Sequence, residues 1–145
     1  RITPLLKDVD KVIKSGADII AFDATKRKRP FSTKEIISKI KKANRLAMAD
    51  CSNLDDAKNA VLEGVDIIGT TLAGYVGKQA KDTDEPDFKL VKQFRKLNCF
   101  VMAEGRYNSP KLAKKAMLAG ADAVTVGSAI TRIDNITSWF VKEIT

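Results

Sequence analysis

One pattern runs the length of this chain and narrows its fold more than any other feature. A short apolar run is followed by a polar turn and then by a segment of helical periodicity, five times over. The runs are Ala17–Phe22 (ADIIAF), Arg45–Ala49 (RLAMA), Val65–Thr70 (VDIIGT), Cys99–Ala103 (CFVMA) and Ala121–Val126 (ADAVTV). Each has strand length and nearly continuous apolar character, as a strand covered on both faces requires. The helical segments are Thr33–Ala43, Leu54–Leu62, Asp87–Leu97, Ser109–Leu118 and Asp134–Ile144, and a leading helix opens at Thr3-Pro4 and runs to about Ser15. Ser109-Pro110 reads as an N-cap and first helical position, while Gly16, Gly64 and Gly120 stand where left-handed C-terminal caps belong. Strands alternating with helices imply right-handed crossovers and a parallel sheet. The repetition is one of architecture, with no repeat expected at the level of residues.

Two architectures satisfy this pattern. One is a complete five-stranded doubly wound sheet. The other is an eight-stranded (β/α) barrel of which this chain supplies a leading helix and the last five strand–helix units. Periodicity alone does not choose between them. The 145 residues suit one domain spanning 1–145.

Composition removes several function classes. The chain contains no His, so imidazole-based triads, shuttles and zinc sites are excluded. Cys51 and Cys99 lie too far apart for a paired zinc motif and read as reduced thiols of a cytoplasmic protein. No apolar run reaches the roughly 18 residues of a membrane span. With 26 Lys+Arg against 18 Asp+Glu the net charge is +8, and Lys26-Arg27-Lys28-Arg29-Pro30 concentrates part of it. A nucleic-acid-binding module is one reading of that run. The low aromatic content, 6%, and the lack of a stacking motif favour a solvated loop that attracts a phosphorylated small molecule, with no nucleic acid or membrane partner.

Binding and catalysis in parallel α/β folds occur at the carboxyl ends of the strands. Three of the five runs end in a carboxylate there: Asp23, Asp50 and Glu104. Each could serve as a helix N-cap, but glutamate is poor in that role, and like charges converge on one rim only at a cost. After the fourth and fifth runs, Gly105-Arg106 and Gly127-Ser128 offer backbone N–H groups that an anion can approach, with Arg132 nearby. No GxGxxG or GxxxxGK[ST] motif is present, which argues against dinucleotide and nucleoside-triphosphate cradles. The stretch Leu72–Pro86 is long for a βα connection and reads as a lid or a loose loop, with Tyr75 near its start placed to pack on a substrate.

Five blocks, GADIIAFDAT, LAMADCSNLDDA, DIIGTTLAGY, VMAEGRYNSP and GADAVTVGSAITR, stand in an order and spacing that strongly resemble the bacterial N-acetylmannosamine-6-phosphate 2-epimerase family over the whole chain. The resemblance implies a ribulose-phosphate-binding (β/α)8 TIM barrel, of which these strands are the fourth to eighth. It implies C2 epimerisation between N-acetylmannosamine 6-phosphate and N-acetylglucosamine 6-phosphate in sialic acid and amino-sugar catabolism, with no cofactor and no metal. Residue by residue, Glu104 matches the family glutamate that tunes the base and handles a hydroxyl proton. Asp50 matches the aspartate facing the sugar. Gly105, Arg106, Gly127, Ser128 and Arg132 match the phosphate site, and Asp23 a ligand to a sugar hydroxyl. The family's proton-transferring lysine ends the third barrel strand, which has no counterpart here. The 145 residues alone are therefore expected to be inactive and to fold poorly. The complete protein is expected to be a homo-oligomer, a dimer.

Overall fold

A computed structural model describes residues 2–76 and 85–145. The chain passes through α1 (Leu6–Lys14), β1 (Ile19–Asp23), α2 (Thr33–Lys42), β2 (Leu46–Asp50), α3 (Leu54–Leu62) and β3 (Ile67–Gly69). It continues through α4 (Phe88–Phe94), β4 (Phe100–Glu104), α5 (Pro110–Leu118), β5 (Ala123–Thr125), α6 (Ser128–Thr131) and α7 (Ile133–Ile144). All five expected strands form, each starting one or two residues later than the apolar run suggests. The four-residue α6 was not expected from periodicity; one turn of helix is too short to show a period.

Each strand pairs in parallel with its successor, in the order β1-β2-β3-β4-β5. A doubly wound sheet reverses its strand order at a switch point and places helices on both faces. Unbroken sequential order winds in a single sense, as in a (β/α)8 barrel. The topology therefore selects the barrel.

Alternation along the strands divides their residues between two faces. Ile20, Phe22, Ala47, Ala49, Ile68, Val101 and Ala103 join Ile36, Ile40, Ala57, Ala60, Val91, Phe94 and Ala116 from the helices in one buried core. The other face carries Ala21, Met48, Ile67 and Met102, and it ends at the carboxyl rim in Asp23, Asp50 and Glu104. The helix starts are fixed locally. Ser32 and Glu35 form a reciprocal capping box on α2, Asn53 caps α3, Asp87 caps α4, and Ser109 caps α5 with Pro110 following. The expected helix start at Thr3-Pro4 moves to Leu6, and Asp87 becomes a cap rather than part of its helix.

A residue-level repeat does exist, against expectation. Gly16-Ala17-Asp18, Gly64-Val65-Asp66 and Gly120-Ala121-Asp122 each precede a strand, and the three glycines take φ of +87°, +87° and +103°. The Asp66 carboxylate accepts the Ala47 N–H of the preceding strand at 2.8 Å and pairs with Lys41 at 2.5 Å. Asp122 does the same with the Val101 N–H at 2.8 Å and with Arg95 at 2.8 Å. Asp18 pairs with Arg45 at 3.1 Å. Three residues spaced some fifty apart are easily missed by eye; their shared role at the strand entrances makes them visible.

Candidate active site

The rim carboxylates do not cap helices. Asn53, not Asp50, caps α3, and Ser109, not Glu104, caps α5. Both acids are free to serve another purpose.

Asp50 ends β2 and is 2% exposed. Across the sheet it stands opposite Gly69 of β3, and Gly69 in turn stands opposite Met102 of β4. Two residues beyond each of these last positions come Thr71 and Glu104, on the same face. The Thr71 hydroxyl lies 2.6 Å from Asp50 Oδ1. The segment after β3 thus supplies a hydroxyl to the acid that ends β2. Gly69 makes the space: a Cβ there would lie 2.8 Å from Met48 Cε, 3.0 Å from Thr71 Oγ1 and 3.3 Å from Asp50 Oδ1.

The electrostatic consequence follows from burial and like charge. Desolvation pushes the Asp50 carboxyl up from 3.8 to about 7; the Thr71 hydrogen bond opposes the rise, and the charges of Glu104 and Asp23 add to it. Desolvation also raises Glu104. An acid held near neutrality is suited to exchanging protons with a bound substrate.

Thr70, which precedes Thr71, fixes the Glu104 main chain. Its hydroxyl donates to the Glu104 carbonyl at 2.9 Å and accepts from the Glu104 N–H at 3.0 Å. Neither threonine was singled out from sequence, although both follow the third apolar run at a strand end, where functional side chains concentrate.

Asp23 lies beside Asp50 in the β1–β2 register. It is buried and heavily partnered: Oδ1 accepts the Thr25 N–H at 2.9 Å and hydroxyl at 2.6 Å, and Arg27 and Arg29 pair with the carboxylate. Arg29 also donates to the carbonyls of Asp23 and Thr25. Half of the basic run is thereby spent on its own loop. Lys26 and Lys28 remain exposed.

The expected phosphate residues follow β4 and β5 at the same rim. Gly105 and Arg106 take successive positive φ, +100° and +65°. The Arg106 guanidinium donates to the Ala73 carbonyl at 2.8 Å and stacks 3.9 Å over the Tyr75 ring. Gly74 permits this approach, since a Cβ there would meet Arg106 Nη2 at 3.3 Å. Tyr75 therefore packs on Arg106. Gly127 and Ser128 open α6, and apart from its chain neighbours no atom of the described residues lies within 4 Å of where a Cβ on Gly127 would stand. Arg132, between α6 and α7, is exposed and pairs with Asp134 at 2.8 Å. Residues 77–84 of the expected lid lie outside the described residues. Among the described residues no group of three or more His, Cys, Asp or Glu side chains is placed to hold a metal ion, and no helix is long and apolar enough to cross a membrane.

Comparison with known proteins gives a consistent result. A family model described as "Putative N-acetylmannosamine-6-phosphate epimerase" matches residues 1–145. A Haemophilus influenzae protein described as "Putative N-acetylmannosamine-6-phosphate 2-epimerase" is 50% identical over 144 residues, covering 99% of this chain and 62% of the relative. One of the same description from Vibrio vulnificus is 56% identical over 140 residues, covering 97% of this chain and 61% of the relative. The solved N-acetylmannosamine-6-phosphate 2-epimerase of Clostridium perfringens superposes with a TM-score of 0.93 at 41% identity, over 97% of this chain and 62% of that one. The chain thus spans less than two thirds of the length of these relatives.

Proposed function

The chain belongs to the N-acetylmannosamine-6-phosphate epimerase family, and we propose that the protein carrying it interconverts N-acetylmannosamine 6-phosphate and N-acetylglucosamine 6-phosphate. The observation that carries the proposal is the pair of rim carboxyls, Asp50 and Glu104, on one face of the sheet, with Asp50 buried against the Thr71 hydroxyl and both carboxyls raised by desolvation.

Epimerisation at C2 removes a proton from carbon and returns it to the opposite face. The C2–H becomes acidic enough only when the sugar ring opens, because C1 is then an aldehyde and the carbanion delocalises into an enolate. Two kinds of proton traffic are needed. One moves the hydroxyl proton during ring opening and closure; the other moves the proton at carbon. Asp50 and Glu104 handle the first and hold the sugar. The second needs a base in a fixed, desolvated site. Lys26 and Lys28, exposed on the loop after β1, do not meet that requirement. The family resemblance assigns the role to a lysine at the end of the strand ahead of α1.

The 6-phosphate is held by main-chain N–H groups at Gly105, Gly127 and Ser128, with Arg106 and Arg132 contributing charge and Asp23 a sugar-hydroxyl contact. Arg106 is already oriented by its stack on Tyr75. The net charge of +8 favours encounter with a dianionic substrate. A phosphorylated sugar does not cross membranes unaided, so the enzyme acts in the cytoplasm, and it does so as a homo-oligomer.

The test is Glu104→Gln and Asp50→Asn in the full-length protein. Each substitution should lower kcat by roughly 10²-fold or more, the scale of a positioned acid–base group. Exchange of the C2 hydrogen with deuterium oxide should fall in parallel. Turnover close to wild type in either variant would remove that residue from the mechanism.

A further inference from the structure

We infer that Tyr75 is a positioning residue: it holds the Arg106 guanidinium for an incoming phosphoryl group without neutralising its charge. The inference rests on the function proposed above and deepens it, because it names what favours a phosphorylated sugar over the free sugar at this rim.

The described arginines differ in the partners they have. Arg27 and Arg29 pair with Asp23, Arg45 with Asp18, Arg95 with Asp122 and Arg132 with Asp134. Arg106 has no carboxylate partner among the described residues. Its one hydrogen bond there runs from Nη1 to the Ala73 carbonyl at 2.8 Å. Its guanidinium carbon stands 3.9 Å from the centre of the Tyr75 ring. Both partners are neutral. A carbonyl and an aromatic face attract a cation and fix its orientation, yet they leave its full charge to meet an anion. An aspartate in the same place would offset that charge before any ligand arrived. A guanidinium carries five N–H donors in a rigid fork, and Ala73 takes one of them; the fork suits two oxygens of a phosphoryl group.

Two adjoining turns build this arrangement. After β4, Gly105 and Arg106 take φ of +100° and +65°, and a residue with a Cβ adopts that region only at a cost. The Arg106 side chain then lies on the turn after β3, whose Ala73 is 33 positions upstream. That turn is anchored independently of Arg106. The Leu72 N–H donates to the Cys51 carbonyl at 3.2 Å, the Ala73 N–H to the Thr70 carbonyl at 3.0 Å, and the Tyr75 N–H to the Leu72 carbonyl at 3.1 Å. Glycine lets the two turns meet. A Cβ on Gly74 would lie 3.3 Å from Arg106 Nη2, and one on Gly105 would lie 3.5 Å from the Thr71 carbonyl oxygen and 3.9 Å from Tyr75 Cε2. Tyr75 itself is 56% exposed, so core packing does not account for its ring.

The experiment measures the affinity of the full-length protein for inorganic phosphate by calorimetry, with KM and kcat for N-acetylmannosamine 6-phosphate alongside. Tyr75→Leu should weaken phosphate binding by about 3-fold to 30-fold, the range of a cation–π contact from exposed to desolvated. KM should rise by a similar factor and kcat should change by less than about 2-fold, as when ground-state binding is lost. Tyr75→Phe keeps the ring and should retain the phosphate affinity. Added to Arg106→Leu, Tyr75→Leu should change kcat/KM by less than about 2-fold, since Tyr75 acts through Arg106. Phosphate affinity unchanged by Tyr75→Leu overturns the inference, as does an equal loss in Tyr75→Phe or a full further loss in the double variant. A wild-type protein that binds no phosphate overturns it as well. Phosphate affinity that depends on the Tyr75 ring, in a protein that does not epimerise the sugar, would leave the inference standing and sink the proposed function alone.

Discussion

Asp50 shows how a single buried side chain ties stability to pH. Its folded-state pKa is about 7 against an ordinary 3.8, so between these values the folded protein binds the proton that the unfolded chain releases. For such a group the stability contribution is complete below the unfolded pKa and is lost as pH rises through the folded one. The protein should accordingly lose stability between about pH 4 and pH 7 from this residue. Asp50→Asn keeps the shape and removes the titration. It should raise the unfolding free energy at pH 8 by an amount on the order of a few kcal/mol, and the gain should vanish by about pH 4. Urea unfolding at the two pH values checks this, and an equal gain at both would show that Asp50 does not titrate as described. The contrast with kcat matters, since the same substitution should abolish most activity. A residue that weakens the fold while serving the reaction is common at active sites.

At the level of strands and helices, the Gly-x-Asp repeat does work that helix caps do not. Asp66 and Asp122 each satisfy a main-chain N–H at the entrance of the neighbouring strand while holding a cation from the preceding helix or its end. Ala47 and Val101, whose N–H groups they receive, are fully buried. Removing the acceptor leaves a buried donor unpaired, which costs about 1–3 kcal/mol. Asp66→Ala and Asp122→Ala should each destabilise by that amount in chemical denaturation. Asp66→Asn, which keeps an acceptor oxygen, should lose less. A surface ion pair alone would be worth about 0–1 kcal/mol, so a loss confined to that range would show that the backbone contact contributes little.

On the scale of the whole molecule, the sheet is buried unevenly. β1 to β4 contribute to one core, whereas α7 buries none of its residues and leaves Ile133, Phe140 and Ile144 between 69% and 81% exposed. Apolar surface of that extent promotes association. The 145 residues prepared alone should bind a hydrophobic dye and self-associate in sedimentation. They should also show no epimerase activity, because no lysine is buried among the described residues. Activity in these 145 residues would require the base to lie among Lys26, Lys28 or the residues of the long β3–α4 connection.

The alternation of strands and helices, the cap at Ser109, and the placing of Asp50, Glu104, Gly105 and Gly127 at strand ends were all determined by the sequence itself. These depend on periodicity and on contacts a few residues apart, which a local pattern records. Tertiary structure decided the rest. It chose the sequential sheet order over a doubly wound one. It brought Thr71 to Asp50, 21 positions away, and Thr70 to Glu104, 34 positions away. It turned Arg106 onto Tyr75. Those partnerships follow from the stagger of neighbouring strands and from the gap left by one glycine between them. Neither quantity is carried by any short stretch of chain, so the acids could be foreseen but the hydroxyl on Asp50 could not.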